Sequence, residues 1–123
     1  MASIAFEHKH TAEGYITFDL KVISGKFSGA SSFCISDKSL RDAVSCLGII
    51  YNDLNGTCQI DDYDSSDFVL FEFLKFGHLK ISGQVGGCHR DNYLVYQLET
   101  DQTVLEGIIS DFCYMLEGDI GLS

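Results

Sequence analysis

The sequence predicts an α+β domain of two layers, with five or six mainly antiparallel strands against two amphipathic helices at about 37–54 and 101–117. Two hydrophobic spacings and one pattern of turn residues lead there. Ile16, Phe18, Leu20 and Val22 alternate with Tyr15, Thr17, Asp19 and Lys21, the period of a half-buried strand. Leu40, Ala43, Val44, Leu47, Ile50, Tyr51 and Leu54 instead recur at helical spacing on one side. Proline is absent, so Gly, Asn, Asp and Ser punctuate the chain. Strands with one apolar face and helices with one apolar stripe bury each other as two layers.

Taken in order, Ile4 and Phe6 begin a short strand, and Thr11-Ala12-Glu13-Gly14 turns the chain into the alternating run at 15–22. Ser24-Gly25 turns it again into a strand at 26–36, which Gly29 is expected to bend or bulge. Ser36 or Asp37 caps the first helix and Asn55-Gly56 stops it, with Ile49 pointing outward. Residues 59–67 read as an acidic loop. Strands follow at 68–76, 78–85 and 93–99, joined by a turn at Gly77 and by the connection at 86–91. The last helix buries Val104, Leu105, Ile108, Ile109, Phe112, Met115 and Leu116. The two halves look alike. Phe18-Asp19-Leu20 before Ser24-Gly25 parallels Phe71-Glu72-Phe73 before Phe76-Gly77, and Phe33 to Leu40 parallels Tyr96 to Leu105 across a strand-to-helix step.

A chain of 123 residues fits one domain, 1–123, and 46% apolar residues supply a core without staples. No apolar run approaches the roughly 18–20 residues of a membrane span, and the start lacks the basic and apolar regions of a signal peptide. Eighteen acids oppose eight bases, for a net charge of −10. That sign disfavours direct nucleic-acid binding and suits a basic protein partner. The asymmetry is sharp: residues 1–60 hold five bases and six acids, residues 61–123 three bases and twelve acids. The five cysteines (Cys34, Cys46, Cys58, Cys88 and Cys113) are odd in number and widely spaced with no C-x-x-C, which points to reduced thiols and a cytoplasmic location.

No catalytic constellation appears. G-x-S-x-G, P-loop and H-E-x-x-H patterns are absent, and the glycines at 83–87 lead into a strand, not a helix. Cys88-His89 lacks two further ligands for a metal. Asp62, Asp64 and Asp67 lack the glycine and closing Glu of a calcium loop. The expectation is therefore no enzyme, no cofactor and no metal. A binding surface remains, and its candidates are Asp61, Asp62, Tyr63, Asp64 and Asp67 on the acidic loop, with Glu106, Tyr114 and Glu117 on the outer face of the last helix. Dense carboxylates speed encounter with a basic partner, and an aromatic among them supplies an anchor.

Half of the chain also carries a resemblance. The run Gly77-His78-Leu79-Lys80-Ile81-Ser82-Gly83, then Tyr93-Leu94-Val95-Tyr96-Gln97-Leu98-Glu99-Thr100-Asp101-Gln102-Thr103-Val104-Leu105, resembles the bacterial immunity proteins of the WapI type. These accompany polymorphic and contact-dependent growth-inhibition toxins. The resemblance implies a cytoplasmic inhibitor that binds the C-terminal domain of a cognate toxin, a basic nuclease, and occludes its substrate surface. It carries over no functional residues. Two other classes stay open: an acidic interaction or adaptor module with no toxin partner, and a small-ligand-binding α+β domain.

Overall fold

The computed structural model describes residues 2–86 and 93–119, so the expected connection at Cys88-His89 lies outside the described residues. The class is α+β. Strands β1 (Ala2–Ala12), β2 (Tyr15–Ser24) and β3 (Phe27–Ser36) form one antiparallel sheet in that order. Helix α1 (Asp37–Asp53) leads to a second antiparallel sheet, β4 (Thr57–Asp61), β5 (Phe68–Phe73), β6 (His78–Val85) and β7 (Leu94–Asp101), again in chain order. Helix α2 (Thr103–Asp119) follows. There are seven strands among the described residues, against five or six expected. The addition is β4, cut from what reads as loop: only Cys58 and Ile60 alternate there, too short a pattern to distinguish a strand.

Both sheets turn one face to a shared core that also takes in both helices. Ile16, Phe18, Leu20 and Val22 are buried from β2, Val69 and Phe71 from β5, and Leu79, Ile81 and Val85 from β6. Leu40, Ala43, Leu47 and Ile50 fill it from α1, and Leu105, Ile108, Phe112 and Met115 from α2, while Val44 and Ile109 are only partly buried. Phe112 sets its ring edge-on to Phe6 at 4.9 Å and lies 5.8 Å from Phe18, and Phe6 stacks on Phe71 at 6.3 Å. One aromatic cluster therefore ties β1, β2, β5 and α2 together, each ring burial contributing roughly 1.5–3 kcal/mol. Gly29 neither bends nor bulges β3; it pairs regularly with Val22, and the register shift falls in β1 between His8 and His10. A Cβ on Gly29 would lie 2.8 Å from Val85 Cγ2 and 3.0 Å from Leu94 Cδ2, so the missing side chain lets β3 approach the second sheet.

The halves repeat in detail. The meander β1-β2-β3 of the first half matches β5-β6-β7 of the second, each followed directly by a 17-residue helix, with β4 extra in the second half. The equivalent hairpins are Glu13-Gly14 (φ 53° and 82°) and Phe76-Gly77 (φ 61° and 76°), both left-handed pairs as a type I′ turn requires. The residue after the third strand then donates its amide to the turn glycine: Asp37 N to Gly14 O at 2.8 Å, and Gln102 N to Gly77 O at 3.0 Å. Pairing of Tyr15 with Ser36 matches pairing of His78 with Asp101. The strand-to-helix parallel expected from sequence thus holds. The hairpin parallel is corrected: Phe76-Gly77 corresponds to Glu13-Gly14, not to Ser24-Gly25. Cap chemistry differs but does the same task, Ser36 Oγ accepting from Ser39 N at 3.1 Å and Asp101 Oδ1 from Thr103 N at 3.0 Å.

Candidate functional site

Three surface regions carry the chemistry. The first is the loop between β4 and β5. Its carboxylates divide into two kinds. Asp62 is 8% exposed and Asp67 1%. Asp62 Oδ1 accepts from Cys34 N at 2.9 Å, and Oδ2 from Ser65 Oγ at 2.6 Å. Asp67 accepts from Ser31 Oγ at 2.5 Å and Gln84 Nε2 at 3.1 Å. These two acids pin the loop to the free edge of β3, where Tyr63 N also donates to Cys34 O at 3.0 Å. Their oxygens are turned inward; a buried carboxylate must be satisfied in this way or carry a large penalty. Asp61, Tyr63 and Asp64 stay outside. Tyr63 is 73% exposed, its ring 5.8 Å from that of Tyr15, and the two tyrosines border a shallow depression of about 380 Å³ with Ser36, Ser39 and Asp61.

The second region is the outer face of α2, where Glu106, Tyr114 and Glu117 are all exposed. Glu106 stands in the first turn of the helix, only about 6 Å of helical rise beyond Gln102, which is bonded to Gly77. Tyr114 and Glu117 lie two to three turns further on. The loop acids and Glu106 do not belong together. Tyr63 sits at the N-terminal end of α1, whereas the third region lies at its C-terminal end, about 25 Å away along a helix of this length.

The third region lies outside the candidate residues of the sequence. A groove of about 910 Å³, mostly apolar, runs past Leu54, Phe73, Leu74, Phe76, His78 and Glu99. Phe76 is 94% exposed and holds φ 61°, ψ 37°. A left-handed conformation costs a residue with a Cβ about 1–2 kcal/mol. Leu54 is also left-handed (φ 55°), at the end of α1 where glycine is usual. Two large apolar residues thus hold unfavourable backbone conformations beside one groove without burying themselves. Glu99 lines the groove together with Lys75, and Asp101 borders the adjoining depression beside His78 and Glu99; both acids are exposed. Lys80 faces Glu99 across the sheet but reaches Glu72 Oε1 at 3.5 Å instead, and no cation among the described residues is within ion-pair distance of Glu99. Hydrogen bonds from the Thr103 hydroxyl and amide hold the Asp101 carboxyl below its usual range, with nearby His78 adding to the effect. In the repeat, Glu99 stands where Cys34 stands in the first half. Cys34 has the acidic loop seated on its edge; among the described residues nothing comparable covers Glu99. The sequence signal for this region was Phe directly before the turn glycine, where Asn, Asp or Gly is favoured.

Among the described residues, no three His, Cys, Asp or Glu side chains gather as a metal site, and Cys34, Cys46, Cys58 and Cys113 are free thiols. No helix among them is long and apolar enough to cross a membrane. Compared with models of known protein families and with curated proteins, the chain matches none.

Proposed function

We propose that this protein is an immunity protein that binds the C-terminal domain of a cognate toxin, a basic nuclease, and neutralises it in the cytoplasm by covering its substrate surface. The observation that carries the reading is Phe76, an exposed aromatic held in a strained turn beside an apolar groove that Glu99 also lines. Strain retained at an exposed position is a mark of function, because stability alone favours a different residue there. The resemblance to immunity proteins of the WapI type and the net charge of −10 support the choice of partner. A nuclease must attract phosphate, so its working surface is basic. The acids steer the encounter, and the apolar anchor slows escape. Inhibition follows from occupancy and needs no turnover.

Phe76 is the anchor, with Leu54 and Leu74 beside it, Glu99 and Asp101 as the nearby acids, and Glu106 adding to the field from the first turn of α2. Asp61 and Asp64 add to the long-range field, and Tyr63 offers a second, smaller contact. The test is co-expression with the toxin domain encoded alongside, scored by survival, together with association kinetics across a salt series. Glu99→Gln with Glu106→Gln should slow association several-fold at low salt and flatten its salt dependence, leaving dissociation nearly unchanged. Asp61→Asn with Asp64→Asn should do the same more weakly. Tyr63→Ala should change dissociation by no more than about threefold. A larger effect at Tyr63 than at Phe76 would move the centre of the interface to the loop. Toxicity undiminished by co-expression would sink the immunity reading.

A further inference from the structure

Two thiols meet where α1 packs on β4. Cys46 is half-buried on the helix, and its Sγ donates to Thr57 O at 3.2 Å, on the strand. Cys58 is buried on the strand, and its Sγ points back to Ala43 O at 3.9 Å, on the helix. Each sulfur reaches the backbone of the other's element, so the two side chains cross where the helix meets the strand. A depression of about 370 Å³ borders the pair, with Ser39, Asp42 and Gln59 on its walls. The pair itself does not line the Phe76 groove.

We propose that Cys46 and Cys58 form an oxidisable dithiol that hydrogen peroxide closes to a disulfide. The roles follow from access and ionisation. Burial, and the neighbouring Cys46 thiol, push Cys58 up to about 12, so Cys58 stays protonated at neutral pH, and Cys46, the more accessible sulfur, meets the oxidant first. The Cys46 thiolate attacks one peroxide oxygen and the O–O bond breaks. The leaving hydroxide takes up a proton as water, and Cys46 becomes a sulfenic acid. Cys58 sulfur then attacks Cys46 sulfur, the S–O bond breaks as the S–S bond forms, and the Cys58 proton leaves with the hydroxide as a second water. The dithiol has lost two electrons and two protons, and the peroxide has become two waters. The bridge spans Leu54 and Asn55, so oxidation ties down the segment that forms one wall of the Phe76 groove.

The experiment treats the whole, fully reduced protein with hydrogen peroxide, blocks remaining thiols by alkylation, and maps the products by proteolysis and mass spectrometry. The expected product is a peptide pair joined through Cys46 and Cys58, lighter by two hydrogens, restored by reductant. The bridged form should melt several degrees higher than the reduced form. Cys58→Ser should accumulate a sulfenic acid on Cys46 that dimedone traps, whereas Cys46→Ser should give neither bridge nor adduct at Cys58. Bridges through Cys34, Cys88 or Cys113 instead, or overoxidation of Cys46 with Cys58 still alkylatable, would overturn the proposal. So would a protein whose thiols stay intact at peroxide concentrations that consume free glutathione.

Discussion

Gly83→Ala should abolish stable folding, or cost about 3 kcal/mol or more where folding survives, which is the upper range for overpacking a core. Gly83 lies in the interior of the second sheet, paired to Val69 on one side and Tyr96 on the other. A Cβ there would stand 2.1 Å from Phe68 O and 2.8 Å from the Tyr96 hydroxyl. The first obstacle is backbone in a paired strand, so it cannot swing aside as a side chain would. Relief requires β5 to move away from β6, breaking the ladder that carries Val69 and Phe71 into the core. Chemical denaturation checks this directly. Gly29→Ala makes the comparison, because its obstacles are the side-chain ends of Val85 and Leu94, and its cost should be smaller.

Phe112→Ala should cost about 3–5 kcal/mol, measured as a fall in the denaturation midpoint at unchanged slope. Phe112 is fully buried and touches the rings of Phe6 and Phe18 from the opposite layer. Truncation removes the ring's transfer energy and leaves a cavity between a sheet and a helix that cannot close by local repacking. The loss reaches both sheets, since Phe6 also stacks on Phe71. Leu47→Ala, on the other helix, should cost slightly less, about 2–5 kcal/mol, by the same reasoning without the aromatic contacts.

What could be read from the sequence, and what could not, follows from the range of the forces involved. The alternation at 16–22 and the helical stripes at 40–51 and 104–116 are local patterns, and they give β2, α1 and α2 within two residues at each end. Strand β4 offers two apolar residues and no period. It exists because α1 and β5 flank it, which no local pattern reveals. The acidic loop shows the same limit. Four aspartates in a row of seven residues look equivalent, yet Asp62 and Asp67 are drawn in because the edge of β3 presents a backbone amide and the Ser31 hydroxyl needing acceptors. Which acids face water is decided by a strand about 30 residues earlier. Gly29 looked like a bulge and is a close approach between sheets, since both demands select glycine. Phe76 was legible in principle. A bulky residue before a turn glycine breaks a local rule without local compensation, and such places deserve a functional question first.

The most direct measurement is the affinity of Phe76→Asn for the toxin domain, taken with its melting temperature. Asparagine accepts the left-handed conformation and, before Gly77, makes the favoured pair for a type I′ turn. The substitution therefore relieves strain while deleting the exposed ring. The prediction is a melting temperature equal to or a few degrees above the wild type, with affinity lowered by about 30-fold or more through faster dissociation. Affinity within about threefold of wild type in a folded Phe76→Asn protein would contradict the claim that this turn is held open for a partner.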